Sequence, residues 1–136
     1  MNLTQTIAAR TSKDMMSLIT SVRDGIKYAS FENIADEIPF SIHDWSHYLH
    51  LNERTFQRYK KEKKVFDPIH SEKILEISMF YNKGVEVFGD KNKFDVWLGS
   101  VNVALGNTKP KDLLDNSFGI NMLNDELIRI ENGILA

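Results

Sequence analysis

Hydrophobic residues recur along the chain at intervals of three and four, which is the period of an amphipathic α-helix. Helix caps and helix breakers divide this pattern into successive helical segments. The predicted N-caps are Ser30, Ser41, Asn52 and Asp90, with Asn121 or Asn124 opening the last helix. No stretch combines sustained alternation with hairpin turn residues, so strands are not expected. The pattern therefore predicts an all-α fold.

The apolar positions also predict which side of each helix is buried. The longest helix, between Pro68 and Gly89, has a broad apolar face in which Gly84 is a weak point. Pro110 is expected at the first position of a short helix. The predicted inward residues are, helix by helix, Met15, Leu18, Ile19 and Val22; Phe31, Ile34 and Ala35; Ile42, Trp45, Tyr48 and Leu49; Phe56 and Tyr59; Ile74, Leu75, Ile77, Ser78, Phe80 and Tyr81; Phe94, Trp97 and Leu98.

The stretch "KVFDP" marks the most pronounced break in the pattern, because Asp67 and Pro68 end one helical region and open another. Before the first apolar stripe the chain is polar and lacks helical periodicity. The sequence therefore predicts a flexible N-terminal tail over residues 1–13, an N-terminal module over 14–67 and a C-terminal module over 68–136.

Composition limits the classes of protein that fit. With 136 residues, 42% hydrophobic content and a net charge of −2, the chain can build a core but is not uniformly cationic. It has no cysteine, which excludes disulfides, thiolate zinc sites and a cysteine nucleophile. The N-terminus does not follow a signal-peptide pattern, and no run of about 18 apolar residues occurs. We therefore expect a soluble, cytoplasmic protein with no membrane partner.

Positive charge is concentrated in "LNERTFQRYKKEKK", which holds six of the seventeen Lys and Arg residues. This stretch follows "SIHDWSHYL" after a tight polar turn, and the two helices have the proportions of a helix-turn-helix. Arg54 and Arg58 lie four residues apart and could reach guanine edges, while the lysines suit phosphates. The candidate DNA-binding residues are Glu53, Arg54, Thr55, Gln57, Arg58, Lys60, Lys61, Lys63 and Lys64. The alternative is a well-capped, solvated helix end.

Two further patterns have ordinary structural explanations. His43, His47 and His50 have metal-like helical spacing but lack a carboxylate partner, so no metal site is expected. A set of carboxylates is expected at caps and solvent-facing positions without a nucleophile: Asp112, Asp115, Asp125, Glu126 and Glu131. There is also no glycine-rich phosphate loop. We therefore expect neither an enzyme nor a cofactor.

The C-terminal half carries an ordered series of short motifs: "VFG" at residues 87–89, "WL" at 97–98, "ALG" at 104–106, Pro110, "LLD" at 113–115, "IE" at 130–131 and Gly133. In this series the chain resembles the Xre/MbcA/ParS-like antitoxin family, whose N-terminal half resembles Xre-type helix-turn-helix proteins. Two positions depart from the family pattern, namely Val103 in place of proline and Asn107 in place of glycine. Asparagine tolerates a left-handed backbone better than most residues, so the turn is expected to form.

The resemblance implies a type II antitoxin that inhibits a cognate toxin, commonly a RES-domain toxin that depletes NAD, and that represses its own operon as a homodimer on operator DNA. It implies a DNA-binding module over residues 14–67 and a toxin-binding and dimerisation module over 68–136. The candidate toxin-binding residues are Gly106, Asn107, Arg129, Glu131, Asn132, Gly133, Ile134 and Leu135. Ile134 and Leu135 follow the helix-ending Gly133, which suggests that this end obstructs the toxin's active site. The alternative is a protein-interaction antitoxin that does not bind an operator.

Overall fold

A computed structural model of the protein describes residues 12–133. This part of the chain contains seven α-helices and two short 3-10 helices: α1 Ser12–Asp24, α2 Tyr28–Glu37, α3 Ile42–Leu49, α4 Glu53–Glu62, α5 Pro68–Phe88, α6 Lys91–Leu98, η1 Val103–Leu105, η2 Pro110–Leu113 and α7 Ser117–Glu131. Over the same residues no strand forms, and extended backbone pairs only at two isolated bridges. The predicted all-α fold is confirmed.

The predicted N-terminal tail falls mostly outside the described residues. Only Ser12 and Lys13 can be compared with it, and both belong to α1. None of the helices within residues 12–133 has the length and apolar character needed to cross a bilayer.

The chain divides into two compact units, and the division falls after Met79, inside α5. Unit 1 contains α1 to α4 and the first part of α5, and unit 2 contains the remainder. The predicted module boundary lies earlier, between residues 67 and 68, and stays a prediction.

The core of unit 1 is an aromatic cluster centred on Phe31, whose side chain is fully buried. Its ring centroid lies 5.5 Å from that of Tyr28, 5.1 Å from Trp45, 5.7 Å from Phe56 and 5.3 Å from Phe66. These partners belong to α2, α3, α4 and the segment that precedes α5. One side chain therefore joins every element between α2 and α5, at separations typical of favourable aromatic pairs.

Some helices start at a local side-chain cap, and others start at a contact distant in sequence. The caps predicted at Ser41, Asn52 and Asp90 are confirmed, since each side-chain oxygen accepts a backbone N–H of the helix that follows. The cap predicted at Ser30 is wrong, because α2 begins two residues earlier. There the Tyr28 N–H donates to the carbonyl of Lys64 at 3.0 Å, so a contact distant in sequence fixes the helix start.

The apolar stripe predicted for α1 is only partly buried. Leu18 is buried and Val22 is half-buried, whereas Met15 and Ile19 remain 47% and 37% exposed. Ile42, predicted inward on α3, is also exposed. Helical spacing places such residues on one side of a helix, but the described residues of unit 1 do not cover the full width of that side.

Unit 2 is organised around Phe94, which is fully buried. The centroid of its ring lies 5.7 Å from Phe80, 5.4 Å from Tyr81, 5.3 Å from Phe88 and 5.7 Å from Trp97. The prediction that Trp97 is buried is corrected, because its ring stacks on Phe94 and is only half-buried. The apolar face of α5 thus packs on α6 around the ring of Phe94.

The last helix begins earlier than predicted. Its cap is Asn116, whose Oδ1 accepts the Gly119 N–H at 2.8 Å, whereas Asn121 and Asn124 lie inside α7. Gly119 packs directly against the carbonyl of Leu113, so closely that a Cβ would overlap that oxygen. The Asn116 cap therefore fixes the start of α7, and the absence of a side chain at Gly119 lets the first turn pack against η2.

Gly84, predicted to weaken α5, instead provides space for the central ring of unit 2, since a Cβ there would overlap the ring of Phe94. We expect Gly84→Ala to lower the free energy of unfolding by about 1–3 kcal/mol, although helix propensity alone favours alanine by about 1 kcal/mol. Urea unfolding would measure the change. Gly99→Ala is the matched control, because its Cβ would meet only ordinary contacts. Equal or greater stability of Gly84→Ala would contradict this account of the packing.

Candidate functional site

The first candidate surface is built on α3 and α4, which are joined by residues 50–52. A reciprocal capping box fixes the start of α3, with Asp44 N–H donating to Ser41 Oγ and Ser41 N–H donating to Asp44 Oδ2, both at 3.0 Å. His50 then adopts a left-handed backbone (φ 55°), and the Leu51 N–H donates to the carbonyl of Ser46 at 3.1 Å. The turn therefore ends α3 cleanly and leads at once into α4, as a helix-turn-helix requires.

The ends of α4 are also fixed by local hydrogen bonds. Asn52 Oδ1 accepts the Thr55 N–H at 3.1 Å and the Thr55 hydroxyl at 3.3 Å. At the other end Lys63 adopts φ 53°, and the Lys64 N–H donates to the carbonyl of Tyr59 at 2.9 Å. Of the predicted DNA-binding residues, Thr55 thus contributes to the helix cap, and Lys63 and Lys64 lie in the turn that ends the helix.

Three predicted residues lie together on the outer side of α4, and we call Arg54, Arg58 and Lys61 the basic face. They are four and three residues apart, on the side opposite the buried Phe56. All three are exposed, and within residues 12–133 neither Arg54 nor Lys61 forms an ion pair. The structure therefore displays two cations of this face without an internal counter-charge.

Arg58 has two close neighbours, Glu62 and Tyr59. Its Nε lies 3.8 Å from Glu62 Oε2, and its guanidinium lies 5.6 Å from the centre of the Tyr59 ring. Both members of the ion pair are about half exposed, so the pair contributes little to stability. The i, i+4 spacing of Arg58 and Glu62 in the sequence could have predicted this ion pair. Glu62 therefore places a carboxylate beside the basic face.

The remaining predicted residues of α4 lie on its flank. Glu53, Gln57 and Lys60 line a groove shared with α2 and α3. Lys60 Nζ lies 3.2 Å from Glu32 Oε2, and Glu53 Oε2 lies 3.6 Å from His43 Nδ1. The structure therefore separates the nine candidates into the basic face, this flank and the two helix ends.

The histidines form no recognisable metal site. His43, His47 and His50 are all exposed. Across residues 12–133, no group of three or more His, Asp or Glu side chains is arranged to hold a metal ion.

The second candidate surface lies in unit 2 and includes a tight loop between η1 and η2. Gly106 and Asn107 both adopt left-handed backbones, with φ of 74° and 60°. The Asn102 N–H donates to the carbonyl of Thr108 at 3.0 Å, and the Asn107 N–H donates to the carbonyl of Asn102 at 2.9 Å. The expectation that asparagine would preserve this turn is confirmed.

Ion pairs engage two predicted residues near the end of α7. Arg129 lies 3.1 Å from Glu126, and Glu131 lies 2.8 Å from Lys83 of α5. Glu126 is 3% exposed, which corrects the expectation that it faces solvent. Burial of a carboxylate requires a partner, and Arg129 supplies it.

The remaining predicted residues lie at or beyond the end of α7. Asn132 and Gly133 are exposed, and Gly133 has φ 69°. Ile134 and Leu135 lie outside the described residues. Within the described part of unit 2, no hydrogen bond or ion pair joins this helix end to the loop at Gly106 and Asn107.

Sequence reasoning missed the most exposed aromatic residue of unit 2. Phe118 is 88% exposed and Met122 is 43% exposed. Together with Arg129, they are four and seven residues apart and so share one side of α7. The predicted start of α7, at Asn121 or Asn124, lies after Phe118, so Phe118 fell outside the predicted helix. We call Phe118, Met122 and Arg129 the outer side of α7.

A hydrogen-bonded trio joins α5 to α6 in unit 2. The Tyr81 hydroxyl donates to Asp95 Oδ1 at 2.6 Å, and Lys91 Nζ donates to Asp95 Oδ2 at 2.9 Å. Burial, followed by the hydrogen bond to Asp95, raises the pKa of Tyr81 to about 12. The hydrogen bonds to Tyr81 and Asp95 raise the pKa of Lys91. This trio links the side chains of α5 and α6.

Comparison with known families assigns both halves of the chain. Residues 17–78 match the antitoxin Xre-like helix-turn-helix domain, and residues 83–133 match the antitoxin Xre/MbcA/ParS C-terminal toxin-binding domain. No curated protein matches the chain.

The Tyr81 trio predicts a specific pH dependence. The folded pKa of about 12 exceeds the ordinary value, so the contribution of Tyr81 to stability is complete below about pH 10 and is lost as the pH rises towards 12. Ultraviolet titration of phenolate, compared with Tyr81→Phe, would isolate this group. We expect Asp95→Asn to lower its pKa and Asp112→Asn, an exposed control, to leave it unchanged. Ionisation of Tyr81 near pH 10 would contradict the geometry.

Proposed function

Since the chain belongs to the Xre/MbcA/ParS-like family of type II antitoxins, we propose that it inhibits a RES-domain toxin that depletes NAD and represses its own operon. In this proposal unit 2 binds the toxin and α4 binds operator DNA. The protein acts in the cytoplasm as a homodimer, by binding alone, and needs neither catalysis nor a cofactor.

The DNA-binding half of the proposal is carried by the basic face on the second helix of a helix-turn-helix. Arg54 and Arg58 project from the same side one turn apart, and each can make paired hydrogen bonds to a guanine. Lys61, one turn further on, suits a phosphate, as do Lys63 and Lys64. Lys60 contributes less, because Glu32 already neutralises part of its charge.

Carboxylates beside α4 limit non-specific attraction to DNA. Glu62 lies against Arg58, and Glu53 lies at the start of the helix. These carboxylates repel the phosphates of DNA. Duplexes in which the arginines of α4 cannot make paired hydrogen bonds to bases are therefore disfavoured. The same carboxylates favour the second candidate function, an antitoxin that only binds protein and whose helix-turn-helix is a scaffold.

We expect Arg54 and Lys61 to contribute to DNA binding in different ways. Arg54→Ala should reduce discrimination between the operator and a scrambled duplex by about 1–3 kcal/mol, because it removes a base contact. Lys61→Ala should weaken binding to both duplexes about equally and reduce the salt slope by about one, because it removes a phosphate contact. Dissociation constants for DNA upstream of the gene, measured over a range of salt concentrations, would test both.

Two further variants control for net charge. Glu62→Gln should tighten binding, since it removes a carboxylate from the side of Arg58. Lys93→Ala makes the same change of charge as Lys61→Ala on an exposed position of unit 2 and should leave DNA affinity unchanged. A wild-type chain that silences the toxin but binds no operator duplex would favour the scaffold alternative.

The toxin-binding half of the proposal rests on the outer side of α7. An aromatic side chain as exposed as Phe118 is unfavourable in water and typical of an anchor that a partner buries. Arg129 adds a half-exposed guanidinium on the same side. We propose that the toxin covers this side together with Asn132 and Gly133 at the helix end.

Phe118→Ala should weaken toxin binding more than tenfold, which corresponds to at least about 1.4 kcal/mol. Because the side chain is exposed, its removal should change the free energy of unfolding by no more than about 0.5 kcal/mol. Calorimetry with the purified toxin and thermal unfolding of the free antitoxin would measure the two effects. Val96→Ala is the control, since Val96 is an exposed apolar residue on α6 that does not belong to the proposed surface.

Removal of residues 133–136 tests the helix end separately. Neutralisation of the toxin should be lost while the fold is retained, as measured by NAD consumption and circular dichroism. Unchanged toxin affinity in both the Phe118→Ala and the truncated protein would reject this surface.

A further inference from the structure

The groove that α4 shares with α2 and α3 has a volume of about 470 Å³, and we call it the flank groove. Its floor is aromatic, because five buried residues line it: Tyr28, Phe31, Phe40, Trp45 and Phe56. The volume lies in the range of sites that hold a small organic molecule. None of the three residues of the basic face lines the groove.

Ile42 gives the flank groove an exposed apolar wall. Helical spacing predicted this side chain to face inward, but it is 38% exposed. Ala35 of α2 also lines the groove and is half-buried. An apolar molecule in the groove would remove Ile42 from water, which favours its binding.

The rim of the flank groove carries more negative than positive charge. Its carboxylates are Glu32, Asp36 and Glu53, whereas Lys60 is the one lysine or arginine among the lining residues. Lys60 is already paired with Glu32. Glu53 lies near the imidazole of His43, which is charged only when protonated, and within residues 12–133 Asp36 forms no ion pair or hydrogen bond. Two carboxylates of the rim therefore lack a permanent counter-charge.

The lining also includes a buried hydrogen-bond donor. Trp45 is fully buried, and within residues 12–133 its Nε1–H finds no acceptor. Buried donors are normally paired, because an unpaired donor loses its hydrogen bond to water without a replacement. Since Trp45 lines the groove, a bound molecule that carries an acceptor can supply the missing partner.

We propose that the flank groove binds a small organic cation that has an apolar body and a hydrogen-bond acceptor. The ammonium group of this ligand lies at the rim near Asp36 and Glu53, where the charges are complementary. The apolar body packs against Ile42 above the aromatic floor. The acceptor receives the N–H of Trp45. Each part of the ligand thus matches one observed feature of the groove.

The consequence for DNA rests on the proposed function. Glu53 belongs to α4, and its carboxylate repels the phosphates of an operator. A cation bound beside Glu53 offsets this repulsion, so the cation and the operator should each strengthen the binding of the other. We expect saturation with the cation to tighten operator binding by about two- to fivefold. The ligand therefore acts as a co-repressor.

Tyramine is the probe, because it combines an ammonium group, an apolar ring and a phenol oxygen that accepts hydrogen bonds. Tyrosol replaces the ammonium group with a neutral hydroxyl, and 4-hydroxyphenylacetate replaces it with a carboxylate. Binding to the full-length chain is followed by the indole N–H signals in nuclear magnetic resonance spectra. The chain has two tryptophans, so Trp97→Phe assigns the signal of Trp45.

We expect tyramine to shift the Trp45 signal saturably, with a dissociation constant below about 1 mM. Tyrosol should bind at least about tenfold more weakly, because it lacks the charge that the rim attracts. 4-Hydroxyphenylacetate should cause no saturable shift.

Two pairs of variants test the rim and the wall. Asp36→Asn should weaken tyramine binding about tenfold, whereas Glu37→Gln, the same loss of charge on an exposed residue of α2 outside the groove, should not. Ile42→Ala should weaken binding about fivefold. Its control is Ile19→Ala, because Ile19 is 37% exposed but lies on α1. Thermal unfolding should show that all four variants remain folded.

The inference would be overturned if tyramine caused no saturable shift of the Trp45 signal. Equal affinity for the three ligands, or for the wild type and Asp36→Asn, would also overturn it. A shift caused by the purified toxin but not by tyramine would reject a small-molecule site in favour of a protein contact.

Operator affinity is measured separately, with and without saturating tyramine. An unchanged operator affinity would overturn the co-repressor role. A chain that binds tyramine but no operator duplex would keep the groove as a cation site and reject the DNA-binding half of the proposed function. A chain that binds the operator but not tyramine would do the reverse.

Discussion

The packing of Phe31 against four other rings holds the DNA-binding candidate in place. Helix α4 is strongly polar, and Phe56 is its one fully buried residue within the described chain. Most of the stability of a short helix comes from tertiary packing. Phe56 packs on Phe31, which also contacts Trp45 of α3, so the two helices of the helix-turn-helix are anchored to the same side chain. The exposed cations of α4 therefore depend on an aromatic core that carries no charge.

A similar arrangement organises unit 2, where Phe94 receives rings from α5 and α6. In both units a central phenylalanine is fully buried, whereas most of the candidate DNA-binding and toxin-binding residues are exposed. The cores therefore tolerate few changes of volume, while the exposed residues can change with little effect on stability. This separation allows the candidate DNA-binding and toxin-binding residues to vary while the fold is kept.

Features fixed by neighbouring residues could be predicted from the sequence. Asn52 and Asp90 cap the helices that directly follow them, and Asn107 supports a left-handed turn through its own side-chain chemistry. Features fixed by distant contacts could not. Ser30 looked like a cap, but α2 starts where the carbonyl of Lys64 accepts a hydrogen bond.

In the candidate sites, too, contacts between residues distant in sequence could not be predicted. Helical spacing grouped Arg54 with Arg58, but it did not reveal that Lys60 pairs with Glu32 of another helix. The local cap at Asn116, which places Phe118 in the first turn of α7, was a sequence signal that the prediction passed over in favour of Asn121 and Asn124.

Glu126 is buried, and Arg129 is its counter-ion. A partner carboxylate that displaced Arg129 from Glu126 would leave a charge buried without compensation. A guanidinium has five donors, so a suitable partner must accept hydrogen bonds from those that Glu126 leaves unused. If the toxin contacts Arg129, the contact must therefore join the existing ion pair with Glu126 and not compete with it.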